Sequence, residues 1–173
     1  MKKQKPTVER LREVLRYEAG TGKLYWIKKP SYRANRAVVG EEAGRTSTNN
    51  YNDIQIDGRR MKAHHIVWAL HTGEFPALFI DHINGNKTEN RVDNLRLATA
   101  SDNAANRVSE MGSTSIYLGV SFKSANRAWV AQIHKSGKKI HLGLFDSEAT
   151  AAKAYNNAAM KHHGKFARLN VVE

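Results

Sequence analysis

The stretch that most limits what this chain can become runs from residue 81 to 107 and reads DHINGNKTENRVDNLRLATASDNAANR. Leu78, Phe79 and Ile80 lead into it as a short apolar strand that ends on Asp81 and His82. Residues 84–90 are Asn, Gly, Lys, Thr and Glu, the chemistry of a polar loop. Residues 94–98 alternate as a second strand, with Leu95 and Leu97 on one face. Thr99 and Asp102 are spaced as a capping box, with Asp where Glu or Gln is usual, and open a helix through Asn103 and Arg107. The local plan is therefore strand, loop, strand, helix. It gathers a carboxylate, an imidazole and several amide oxygens.

Upstream, Val8, Leu11, Val14 and Leu15 predict a helix over 7–17, with Thr7 as its N-cap. Residues 18–22 form a turn and 23–28 a short strand. Residues 29–50 are polar and aperiodic, a loop or a set of irregular strands. Their Arg33, Arg36 and Arg45 make them a candidate phosphate-contacting surface. Ile54 and Ile56 alternate up to Asp57-Gly58, a two-residue hairpin signal. A buried helix over 63–73 follows, ended by Gly73. His64 and His65 open that helix. Without cysteines or a ligand-type residue four positions on, they read as packed or DNA-facing rather than metal-binding.

The pattern changes after residues 108–115 (VSEMGSTS), an aperiodic linker. From 116, three short strands are separated by turn residues. A helix from about 147 to 163, rich in Ala, then ends at Gly164. The second half is a three-stranded antiparallel sheet with one helix across a face, so the fold class is α+β in both halves. Alternation turns Trp129, Ala131, Ile133, Ile140 and Leu142 towards that helix. It turns Gln132, His134, Lys139 and His141 away from it, with Lys123 and Arg127 near the first hairpin.

Charge names the partner. Lys and Arg number 28 against 16 Asp and Glu, a net +12. The excess is shared: 19 basic against 13 acidic residues in 1–110, and 9 against 3 in 111–173. A polyanion fits such a chain, because cationic side chains that neutralise phosphates release condensed counterions. The outward face of the second sheet is short of aromatic residues for stacking unpaired bases, which favours double-stranded DNA over RNA. No run of 18 apolar residues exists and the basic N-terminus lacks an apolar signal core, so no membrane partner is expected. The absence of cysteine excludes disulfides and thiolate zinc sites and suits the cytoplasm.

Hydrolysing a phosphodiester needs a nucleophile, relief of phosphate charge and help for the leaving oxygen. A hard divalent ion supplies the last two, and it takes oxygen ligands while keeping open positions. Asp81 and Asn103 offer a carboxylate and an amide oxygen for Mg²⁺, with Mn²⁺ as the alternative. His82 can accept a proton from water if the strand ends or bends there, since neighbours on a strand point to opposite faces. Asn94 can bond across to the loop backbone and fix the orientation of His82.

Asp81-His82, the loop from Ile83 to Asn86, Asn94-Leu95-Arg96 and Asn103 together resemble the HNH endonucleases, whose core is the ββα-metal motif. The run from about 52 to 107 is similar to the HNH enzymes of phages and group I introns, the homing endonucleases. The resemblance implies that Asp81 and Asn103 hold the metal, His82 is the general base and Asn94 supports it. Many members carry His where Asn103 stands; Asn106, one turn on, is the alternative ligand. Residues 116–170 resemble the Apetala-two/ethylene-response-factor DNA-binding domain. The resemblance rests on Tyr117, Gly119-Val120, Trp129, Leu142-Gly143, Phe145, the run 151–155 and Asn170. It implies that the sheet face away from the helix enters the major groove, although several positions that carry Arg or Trp in the plant domains differ here.

The expected organisation is a nuclease domain over 1–107, with its ββα core at about 78–107, the linker 108–115 and a DNA-binding domain over 116–170. A single HNH core has one active site, so a monomer nicks one strand, and cutting both requires a dimer or a second event. The competing class is a non-catalytic DNA-binding or regulatory protein on the same scaffold.

Overall fold

A computed structural model describes residues 4–32, 34–105, 114–135 and 137–172. Helix and strand are mixed throughout, in keeping with the α+β class. The chain divides into two compact units, Met1–Leu97 and Ala98–Glu173.

The first unit opens with α1 (Val8–Val14), capped by the Thr7 hydroxyl, which accepts from the Arg10 amide. The helix is shorter than its periodicity predicts. Leu15 leaves it to begin β1 (Leu15–Glu18), which pairs antiparallel with β2 (Lys23–Trp26), Leu15 opposite Trp26. Leu15 keeps its place in the core by either route, so helical spacing alone could not reveal the change of backbone. β3 (Arg45–Thr46), β4 (Asn52–Ile56) and β5 (Arg59–Lys62) form a three-stranded sheet in that order. Asp57 and Gly58 both take positive φ, 49° and 76°, as a two-residue hairpin between right-twisted strands requires.

Lys62 runs directly into α2 (Ala63–Thr72), which closes on Gly73 in the left-handed region. Ile66, Val67 and Ala69 of α2 share one core with Leu11, Val14, Ile54 and Ile56. β6 (Phe79–His82) and β7 (Leu95–Ala98) form a separate two-stranded sheet. In β7 Leu95 and Ala98 are buried while Leu97 is left exposed, so only one of the two leucines serves the core.

The second unit begins with α3 (Ala100–Ala105). The capping pair forms as its spacing predicts: the Asp102 carboxylate accepts from the Thr99 amide, and the Thr99 hydroxyl accepts from the Asp102 amide. β8 (Val120–Lys123), β9 (Ala128–Lys135) and β10 (Lys138–Phe145) form an antiparallel sheet with β9 in the middle. α4 (Glu148–His163) lies across it, and Ala151, Ala152 and Ala159 let it approach Ala131 and Ile133 closely. Gly119 packs against that helix so tightly that a Cβ there would collide with the Tyr155 ring. The Asn170 side chain accepts from the Leu118 amide and donates to the Leu118 carbonyl, tying the C-terminal segment to the edge of the sheet.

Candidate active site and basic sheet face

β6 delivers Asp81 and His82 at its end, and both are buried, each about 4% exposed. Buried charge needs a counter-charge. Arg96, on β7, supplies it: its Nε and one terminal nitrogen donate to Asp81 Oδ2 at 2.9 and 2.6 Å.

His82 is held from the loop. Its Nε2 lies 3.1 Å from Asn90 Oδ1. The Asn90 amide nitrogen is committed to the Thr88 carbonyl, so the amide oxygen faces the ring. The ring must then donate through Nε2, which leaves the lone pair of the neutral imidazole on Nδ1. Burial pushes the His82 pKa below the usual 6.5, against the hydrogen bond from Asn90 and the charge of Asp81, which raise it. The ring is neutral at pH 7.

The loop between the strands is built from amides. Asn94 Oδ1 accepts from the Asn84 amide, and its Nδ2 donates to Asn84 Oδ1 and to the Glu89 carbonyl. The Asn84 and Asn86 side chains accept from backbone amides two residues on. Asn94 thus bonds the loop backbone, while the residue on the His82 ring is Asn90. Its position in a polar turn gave no sign of that role. A second support comes from outside the loop. The Tyr17 hydroxyl on β1 accepts from the Val92 amide and donates to the Asn90 carbonyl.

His64 stands on the other side of His82. The two rings meet edge to face, centroids 5.0 Å apart, and Tyr51 closes on both. His64 is buried, its Nδ1 has no hydrogen-bond partner, and its pKa is pushed down to about 3, by burial first and then by neighbouring cationic groups. It is a packed neutral ring. Asn103 lies on α3, in the second compact unit. Asn106 and residues 108–113 of the linker fall outside the described residues. No group of three or more His, Cys, Asp or Glu that could hold a metal occurs among the described residues.

On the second sheet, Gln132 and His134 alternate with the buried Ala131 and Ile133, and so lie on the face away from α4. They stand directly opposite His141 and Lys139 on β10. Lys123 ends β8, and Arg127 takes a positive φ of 49° at the following turn; both are exposed. A β-bulge between His141 and Gly143 shifts the alternation. Strict alternation from Ile140 and Leu142 would bury Leu144, but the bulge turns it outward beside Val130 and sends Phe145 to the helix side. That face is therefore polar and basic at one end and apolar at the other.

An HNH endonuclease family model matches residues 61–105. Protein 3.8 of Escherichia phage T7 is 32% identical over 108 residues, covering 62% of this chain and 88% of that protein. An uncharacterized HNH endonuclease of Acanthamoeba polyphaga mimivirus is 31% identical over 122 residues, 69% of this chain and 63% of the viral protein. An AP2-like ethylene-responsive transcription factor of Arabidopsis thaliana is 41% identical over 59 residues, 34% of this chain but only 12% of the plant protein. No solved structure matches. The matched stretch 61–105 contains Asp81, His82, Asn90 and Asn94, and with near full-length coverage of the phage T7 relative it makes this chain a member of the HNH endonuclease family.

Proposed function

We propose that the protein is a metal-dependent endonuclease of the phage or intron homing type, hydrolysing phosphodiester bonds in double-stranded DNA. The observation that carries this reading is the pairing of a buried carboxylate with a buried imidazole held by Asn90 at the end of β6. His82 takes a proton on Nδ1 from the attacking water as the water oxygen bonds to phosphorus and the P–O bond to the leaving sugar oxygen breaks. Asn90 holds the ring in the tautomer this needs, and Asn94 keeps the loop in shape.

Asp81 and Asn103 are the residues that would hold the metal. The donor chemistry fits a hard ion: a carboxylate and an amide oxygen are oxygen donors, and Asp81 already attracts a cationic group. When bound, Mg²⁺, or Mn²⁺ in its place, neutralises phosphate charge and stabilises the leaving oxygen.

The second unit binds the DNA through Lys123, Arg127, Gln132, His134, Lys139 and His141. Support comes from the shared face of Gln132, His134, Lys139 and His141 and from the similarity to a plant transcription factor. Gln and His suit base edges, and Lys and Arg suit phosphates. We read the nuclease domain as 1–107 and the DNA-binding domain as 116–170, joined by 108–115. The protein acts as a monomer in the cytoplasm, and no described helix is long and apolar enough to cross a membrane.

The test is conversion of supercoiled plasmid to nicked circles with Mg²⁺ or Mn²⁺. The wild-type chain is expected to nick, and His82→Ala to bind DNA without nicking it. Binding by the wild type with no cleavage under either metal would establish instead a non-catalytic DNA-binding protein on an HNH scaffold.

A further inference from the structure

The first unit carries a basic surface that the reading above does not use. A hollow of about 900 Å³ opens over the outer face of the β3–β4–β5 sheet. Arg36, Arg45 and Arg60 line it, with Gln55 on the floor. Gln55 and Arg60 are directly opposed in the register, on the face away from the buried Ile54 and Ile56. Two carboxylates also reach the hollow, but each is already engaged. Asp53 is paired with Lys62 at 2.8 Å, and Asp57 with Arg10 at 2.9 Å. Among the described residues Arg36, Arg45 and Arg60 form no ion pair, and all three are exposed. Among the described residues, the hollow therefore holds three guanidiniums that no carboxylate pairs.

A second, separate hollow of about 300 Å³ also borders Gly44 and Arg45, and Thr88 and Asn90, the residue bonded to His82, are among the residues that line it. Arg45 therefore borders both the basic hollow and one that reaches the loop holding His82.

We propose that the basic hollow seats the sugar-phosphate backbone of duplex DNA close to the scissile bond. Arg36, Arg45 and Arg60 make phosphate contacts, and Gln55 bonds to phosphate or sugar oxygen. The proposal rests on the reading that the chain acts on DNA. It adds that the nuclease unit grips the duplex through its own sequence-independent contacts, separately from the face of the second sheet.

The experiment measures binding of a labelled duplex by fluorescence anisotropy in EDTA, so that cleavage plays no part. The full chain is compared with the triple variant Arg36→Gln, Arg45→Gln, Arg60→Gln between about 50 and 300 mM KCl. Each lost phosphate contact removes about 0.9 from the slope of log affinity against log salt, so the slope is expected to shrink by roughly 2 to 3. The melting temperature should stay unchanged, because the three side chains are exposed. If the triple variant melts early, each single variant should still show a slope smaller by about 1. A wild-type slope in the variants would overturn the proposal, as would tighter wild-type binding to duplex RNA than to DNA. Absence of DNA binding by the wild type would overturn both this proposal and the nuclease reading beneath it.

Discussion

The His64 ring stands at 84° to the His82 ring, with centroids 5.0 Å apart. His64 is packed against the ring proposed above as the base, and that ring's charge is one of the influences that lower the His64 pKa. His64 is neutral in the folded protein down to about pH 3, whereas an unfolded chain protonates it near its ordinary value of 6.5. The folded pKa is depressed, so the stability linked to His64 is complete above about pH 6.5. It is lost as pH falls from there towards 3, at about 1.4 kcal/mol per unit. His64→Phe should remove this dependence. Denaturant unfolding of the two proteins between about pH 4.5 and 7 should give a slope against pH smaller by about one proton in the variant.

Asn90→Ala removes the acceptor that fixes the His82 tautomer. The Asn90 hydrogen bond raises the His82 pKa, so its loss should move the acid limb of the pH–rate profile further below 6.5. Turnover should fall by roughly 10- to 100-fold, the usual effect of losing a partner that orients a functional histidine. A fall in rate with an unmoved acid limb would place Asn90 in loop stability alone.

Arg96→Gln leaves the Asp81 carboxylate buried without its guanidinium. In EDTA the variant should be less stable by about 3–5 kcal/mol, the cost of breaking a buried pair from one side. Added Mg²⁺ should restore more of the melting temperature in the variant than in the wild type, because the ion and Arg96 answer the same charge. Equal Mg²⁺ shifts in the two would argue against Asp81 as a ligand.

Gly119→Ala places a Cβ 2.6 Å from the Gln132 carbonyl oxygen and against the Tyr155 ring, at a φ of +72°. The second unit should lose a few kcal/mol of stability. Trp129 reports on this unit, and hydrogen exchange should show its strands opening before those of the first. Affinity for DNA should fall as that unit opens.

Much of this arrangement was legible in the chain because it rests on local signals. Asp57-Gly58 demanded positive φ, Gly73 demanded a helix end, and Thr99 and Asp102 demanded each other. What escaped depended on distant partners. Arg96 finds Asp81 fifteen residues back, across a loop, and Tyr17 reaches Val92 from another sheet. Asn90 looked like ordinary turn chemistry because Asn84 and Asn86 beside it are just that. The bulge in β10 moved Leu144 to the outer face, and nothing in alternation announces an extra residue.

The loop around His82 is shaped mainly by carboxamides that neither gain nor lose protons: Asn84, Asn86, Asn90 and Asn94 make most of its side-chain bonds. Acid that protonates His82 leaves those bonds in place. If His82 is the base, as proposed, a pH profile of cleavage should therefore record its titration against a fixed frame, and activity lost in mild acid should return at once when the pH is raised.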